Sequence, residues 1–255
     1  MPVIKTIFTN IIIPGLTLTG GIPIDASKVT PLVPQPEVIP LDVIWRGDEN
    51  NTGLTDLNGE NALTLTGAAP TRLTDHLEIA ATGMNGLQTP FLETTAFTLI
   101  MATRVYKPTV TFSPTRYLMG TSNNANANGE VVYFSASNGA AYLGLPSGTV
   151  VPIDQPPAAV HDQWQFLMLD YEPGLMTVSW SDGAGWLSYS AARTLINSAR
   201  RLSFGNSYNA LASQQGMVPF AWGGYAARKL SSGEKADLLV RGRADVLANN
   251  GITIR

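Results

Sequence analysis

The chain has 255 residues, with 16 Lys+Arg, 19 Asp+Glu and no Cys, a length that suits one large domain or one domain with an appendage. A charged fraction of 14% is too low for charge-driven disorder, and a net charge of −3 supplies no cationic footprint for a nucleic-acid backbone. Without cysteine there are no disulfides, no thiolate chemistry and no Cys-ligated zinc.

The first 40 residues hold Pro2, Pro14, Pro23, Pro31, Pro34, Pro36 and Pro40. Proline has no amide proton for a helix interior or a central strand, so residues 1–40 are expected to run as an extended arm. That arm would lie against the chain's own body or against a neighbouring subunit. Ile7, Phe8, Ile11, Ile12 and Ile13 give it an apolar contact surface, and the role expected of them is assembly into a homo-oligomer. Thr9, Asn10 and Pro14 interrupt the run and only Lys5 precedes it, a poor match to a secretory signal. The apolar stretch Val218 to Ala227 falls short of the roughly 20 residues that span a bilayer, so membrane insertion is not expected.

Residues 41–255 read as a single β-sandwich. Short runs of alternating or apolar residues recur between Gly, Asn, Asp, Ser and Pro, which points to a sandwich or barrel. The predicted strands are Ala62 to Thr66, Leu77 to Ala81, Phe97 to Val105, Tyr117 to Thr121, Glu130 to Ser135 and Ala141 to Leu145. Then come Trp164 to Asp170, Leu175 to Trp180, Trp186 to Ser190, Arg201 to Phe204 and Val218 to Tyr225. Glu172-Pro173-Gly174 and Ser181-Asp182-Gly183-Ala184-Gly185 read as hairpin turns. Phe97, Leu99, Met101, Trp164, Phe166, Met168, Val178 and Trp180 alternate along the strongest strands and are expected to form one core.

Ser231-Ser232-Gly233-Glu234 is a capping box, and Asn249-Asn250-Gly251 is a stop, predicting a helix over about 232–248. Its apolar stripe is Ala236, Leu239, Val240, Ala244 and Leu247, of which Leu239, Val240 and Leu247 are expected to pack on the sandwich.

Few constellations offer chemistry. His76 and His161 are separated, lack an H-E-x-x-H spacing and read as surface or loop residues. Asp170 and Glu172 are two apart on one strand face, as a glycosidase pair would be, but they sit at a hairpin end. Asp56, Asn58 and Glu60, with Asp182 and Asn206 on other loops, could supply oxygens to calcium or simply form turns. Arg46-Gly47-Asp48 spells a cell-adhesion tripeptide. Asp182, Trp186, Asn206 and Tyr208 combine aromatic faces with a carboxylate and an amide, as a sugar site does; such a loop set also suits a subunit interface. These residues predict no catalysis and no cofactor, and they leave a metal open.

Four stretches in order resemble the laminin-G-like, concanavalin A-like jelly-roll domains of bacteriophage tail and virion proteins. Asp56-Leu57-Asn58-Gly59-Glu60-Asn61 before Leu63-Thr64-Leu65 is similar to the family's Asp-x-Ser-Gly-Asn turn, with Asn58 in place of Ser. Phe97 to Arg104 resembles its alternating central strand, and Arg201 to Asn206 the strand closing on Gly. Trp222 to Tyr225, Leu230-Ser231 and Glu234 resemble its last strand and terminal helix. The resemblance implies a virion building block of a tail, baseplate or collar, with neighbouring virion subunits as partners and a host-surface glycan as a further one. A lectin module of a cellular protein and a glycoside hydrolase are the alternatives.

Overall fold

The structure, a computed structural model, describes residues 38–93, 96–104, 116–121, 129–134, 141–144, 150–153, 163–183, 185–193, 200–208 and 216–255; of 134, 141–144 and 150–153 it describes the backbone alone. Residues 1–37 of the expected arm, including Ile7, Phe8, Ile11, Ile12 and Ile13, lie outside the described residues, as does His161.

In chain order the strands are β1 Val43–Arg46, β2 Thr64–Thr66, β3 Thr71–Arg72, β4 Leu77–Ala80, β5 Gly86–Leu92, β6 Phe97–Arg104, β7 Arg116–Gly120 and β8 Val131–Phe134. They continue as β9 Ala141–Gly144, β10 Val150–Ile153, β11 Trp164–Glu172, β12 Gly174–Asp182, β13 Gly185–Arg193, β14 Arg201–Gly205, β15 Met217–Phe220 and β16 Trp222–Ala226, followed by the helix α1, Ser232–Asn250. Three sheets result, ordered β1-β16-β6-β11-β12-β13, β10-β9-β8-β7-β14-β5-β2 and β15-β4-β3. The fold is an all-β sandwich with one C-terminal helix, as the sequence predicts.

Two expectations about strands need correction. The run Val218 to Tyr225 is not one strand: it breaks at Ala221 into β15, in the three-stranded sheet, and β16, in the six-stranded one. At the break Ala221 donates its amide to Ala102 O and accepts from Gly47 N, so the chain changes sheets without losing backbone hydrogen bonds. The predicted strands also omit β1, β3, β5 and β10; in β5, Gly86, Gln88, Thr89 and Pro90 interrupt the apolar alternation.

The eight expected core residues are all buried, but they form two cores rather than one. β6 and β11 pair antiparallel with Leu99 opposite Leu169 and Met101 opposite Leu167, and their successive side chains project to opposite faces. Phe97, Leu99, Met101, Val178 and Trp180 join a cluster drawn from all three sheets. Trp164, Phe166 and Met168 face the other way, with Ile100, Trp222 and the helix residues Leu238 and Val246. Both strands are therefore buried on both faces, which explains their nearly continuous apolar character.

Both predicted hairpins form. Glu172 pairs with Leu175 across Pro173-Gly174, where Pro takes the second turn position and Gly174, at φ 85°, the third, as a type II turn requires. Asp182 pairs with Gly185 in the other.

The helix begins as expected. Ser231 accepts from Glu234 N at 3.3 Å, and Glu234 Oε2 accepts from Ser231 N at 2.8 Å. Ser231→Ala is expected to lower stability by about 1 kcal/mol in urea unfolding, and no change would show that the cap contributes nothing here.

The buried face of the helix differs from the predicted one. Val240 is 70% and Leu247 54% exposed, whereas Leu238, Leu239, Gly242, Val246 and Asn250 are buried. The contact line runs through 238, 242, 246 and 250, every fourth residue. Gly242 brings the helix close: a Cβ there would sit 3.0 Å from Phe166 Cζ. Polar locks do the rest. Asp245 accepts from Arg46 Nη2 at 2.6 Å and Trp222 Nε1 at 3.0 Å, and Asn250 Nδ2 donates to Ala221 O at 3.1 Å. Only Leu239 of the predicted packing trio touches the sandwich side.

Candidate functional site: a cleft beside the C-terminal tail

After α1 the chain turns at Gly251 and returns along the start of β11. Ile252 and Ile254 are buried, Ile254 forms an isolated parallel bridge with Trp164, and Arg255 N donates to Trp164 O at 2.9 Å. Ser181 fastens this tail: its hydroxyl accepts from Phe166 N at 2.9 Å and donates to Arg255 O at 2.5 Å. The tail thereby continues the sheet where β11 outruns β12.

Between the tail, α1 and the tip of the β12–β13 hairpin lies an open cleft of about 760 Å³. Its lining includes Asp75, Gln163, Trp164, Gly183, Arg243 and Arg255, with Ile252, Thr253 and Ile254 from the tail. This volume lies in the range of small-molecule sites, and the mixture of an apolar floor with a few polar groups is typical of them.

The floor is rigid. Trp164 presents only 9% of its surface, with the Arg104 guanidinium 5.2 Å from its ring and the His76 ring edge-on at 5.0 Å. Of the expected surface or loop position, His76 has the loop, just before β4, but it is buried there. It is held there by Asp75 Oδ1 at 2.7 Å and by contact with Trp164.

The walls carry directed polar groups. Arg255 Nη1 donates to Gln163 Oε1 at 3.0 Å, and Arg243 Nη1 donates to Gly183 O at 2.9 Å. The other donors of Arg243, Nε and Nη2, are shielded from water and have no hydrogen-bond partner among the described residues. Burial pushes the Arg243 pKa down from its usual value.

The four sugar-site candidates from the sequence do not converge. Asp182 ends β12 beside the cleft, next to Gly183 of its lining. Trp186 donates Nε1 to Lys235 O at 3.0 Å and lies 6.4 Å from Phe166, so its ring is spent in the helix-side core rather than offered to a sugar. Asn206 is buried and donates to Gly83 O, and the Tyr208 hydroxyl donates to Arg201 O at 2.7 Å. These two follow β14 in the seven-stranded sheet. Sequence reasoning placed Trp164 in the core and passed over Gln163 and Arg243, whose only signal was position: a residue before a strand and a cation within a helix.

Among the other candidates, Asp56, Asp170, Glu172, Arg46 and Asp48 have structural partners. Asp56 is buried and accepts from Glu60 N at 2.8 Å, Asn61 N at 2.9 Å and Asn61 Nδ2 at 3.0 Å, and these bonds lower its pKa against the opposing effect of burial. It is the anchor of a turn. No group of three His, Cys, Asp or Glu side chains suited to a metal occurs among the described residues. Asp170 is fully buried between Thr98 Oγ1, at 2.6 Å, and Lys235, while Glu172 pairs with Lys229. In the adhesion tripeptide Arg46 pairs with Asp245, and Asp48 is buried and accepts from Asn50 N at 2.8 Å.

One titratable cluster was not foreseen at all. Arg193, at the end of β13, pairs with Glu93 and with Glu130 Oε2 at 2.5 Å, and it stacks over Tyr171 at 4.7 Å. All three charged side chains are at most 1% exposed. Two carboxylates share one guanidinium out of reach of water, and burial pushes the Glu130 pKa up to about 7.

The sequence matches no protein-family model and no curated protein. Solved structures do share its fold. Trypanosoma rangeli sialidase in complex with sialic acid superposes with a TM-score of 0.58 at 14% identity, over 78% of this chain and 32% of the sialidase. A mutant of that sialidase displaying trans-sialidase activity gives 0.58 and 14% over 81% and 33%. The binding domain of botulinum neurotoxin serotype D gives 0.54 and 12% over 80% and 52%. The chain thus spans about a third of the sialidases and about half of the toxin domain, and the likeness is one of fold. It corrects one expectation: with sialidases among the proteins that share this sandwich, the chain can no longer be classed as a non-enzyme from its poverty of histidines and cysteines. What the comparisons establish is a β-sandwich shared with sialidases and with a neurotoxin binding domain.

Proposed function

We propose that the chain is a carbohydrate-recognition module whose ligand occupies the cleft at the C-terminal tail. The observation that carries this reading is the cleft itself, whose lining sets the apolar Trp164, Ile252 and Ile254 beside Gln163, Asp75 and Arg243. A sugar offers one apolar face and a ring of hydroxyls, and this lining matches both. Fold neighbours named for a sialic acid complex and for a receptor-binding domain add support. The ordered resemblance to phage tail and virion domains supports a second, finer proposal: the module serves in a virion component, with neighbouring subunits as partners and a host-surface glycan as target.

The test is a glycan array probed with the full chain and with Thr253→Trp, which fills the cleft from an exposed position. Binding by the parent chain and its loss in the variant, at unchanged melting temperature, is the expected result. An array that stays blank, or binding indifferent to Thr253→Trp, overturns the reading. Release of free sugar from a bound glycan would add turnover to recognition.

A further inference from the structure

We propose that the outward face of α1 docks a second copy of this chain, the two helices lying antiparallel about a two-fold axis. This pairing is independent of the sugar reading of the cleft.

α1 meets the sandwich through Leu238, Leu239, Gly242, Val246 and Asn250. The opposite side of an amphipathic helix ordinarily carries its charges. On α1 the exposed side includes Ala236, Val240, Ala244, Leu247 and Ala248, and Asp237 is its one charged residue. Val240 and Leu247, two turns apart on one line, are 70% and 54% exposed. A single apolar side chain in water is ordinary, whereas a continuous apolar patch marks an interaction surface.

The charges at the margin of this face fit a second copy. Asp237 and Arg241 stand one turn apart on the same flank of the helix and do not pair with each other. Arg241 donates Nη1 to Val38 O at 2.9 Å, and the Asp237 carboxylate has no partner among the described residues. In an antiparallel pair related by a two-fold axis, a flank meets the same flank of the other copy, and each contact occurs twice. An axis passing beside residue 239 brings Val240 of the two copies together. The same axis sets Asp237 of each copy opposite Arg241 of the other. One helix thus supplies both halves of a complementary surface, an apolar line and two opposite charges. A single helix face is smaller than the roughly 800 Å² that each partner buries in a standard interface, so the pairing is expected to be reversible.

The experiment is analytical ultracentrifugation of the full chain over a hundredfold range of concentration. The mass is expected to rise from monomer toward dimer. Asp237→Arg and Arg241→Asp each place like charges opposite one another, and each is expected to weaken self-association at least tenfold. Combining the two reversals is expected to restore the parent strength. The Val38 bond is lost in Arg241→Asp and in the combined variant alike, so recovery reports the pairing of charges rather than that bond. A second measurement uses the absence of cysteine from the chain. Val240→Cys gives one thiol per copy and is expected to form a disulfide-linked dimer on mild oxidation. Glu60→Cys, in an exposed turn, is expected not to. The crosslinking keeps the proposal testable where a charge reversal fails to fold. A parent chain that stays monomeric throughout overturns the proposal. So does an oligomer indifferent to both single reversals, which assembles through another surface, or a combined variant no stronger than the single ones.

Discussion

Replacing Arg193 by leucine is expected to cost about 3–5 kcal/mol of stability at pH 8, the usual consequence of removing one partner from a buried ion pair. Glu93 and Glu130 would then keep their charges at essentially zero exposure without the guanidinium that both of them pair with. The effect depends on pH, and its sign follows from Glu130. An unfolded glutamate titrates at about 4.5, whereas burial in the folded chain pushes Glu130 up to about 7. Between those values the folded state keeps a proton that the unfolded state has released. This group's contribution to stability therefore falls as pH rises from about 4.5 to about 7 and is level outside that window. In Arg193→Leu the buried Glu130 loses its paired guanidinium and prefers the proton still more strongly, so the deficit should be smaller at pH 5 than at pH 8. Urea unfolding of parent and variant at the two pH values measures it. Equal deficits at both would mean that the carboxylates are not what the arginine holds in place.

Phe166→Ala is expected to cost a further class of stability, about 3–5 kcal/mol, through a cavity between the helix and the six-stranded sheet. Phe166 has no exposed surface, lies 5.4 Å from Trp222 and is the ring that Gly242 approaches. The two indoles beside it are held away from the void, Trp222 by Asp245 and Trp186 by Lys235 O. Val240→Ala on the same helix is the control, expected to change stability by less than about 0.5 kcal/mol since Val240 is solvated. A Phe166→Ala loss below 1 kcal/mol in chemical denaturation would mean that the helix packs loosely.

The sandwich was legible because its strongest strands are long and apolar and its turns carry Pro-Gly and Asp-Gly. The capping box was legible for the same reason, being a local rule satisfied by adjacent residues. What the sequence hid is what three dimensions decide. Alternation along β11 shows that Trp164 and Leu167 point oppositely, but not that both sides are covered. Along the helix, counting apolar residues favoured Val240 and Leu247, while the true contact runs through a glycine and an asparagine that a hydrophobic stripe ignores. The cleft was hidden more deeply. Gln163, Trp164, Gly183 and Arg243 belong to separate elements and share no motif, and only the return of the tail along β11 makes them neighbours.

That tail also divides the cleft's stability from the sandwich's. Its hold on the sheet includes one parallel bridge, the Arg255 amide and guanidinium, the Ser181 hydroxyl and two isoleucine side chains, short of the full ladders that secure β6 and β11. Segments so lightly tethered open on their own, at a free energy well below that of global unfolding. A ligand seated there would therefore slow amide exchange at Phe166 and Arg255 long before it moved the melting temperature, and the exchange clock of these two amides would report occupancy that a thermal scan overlooks.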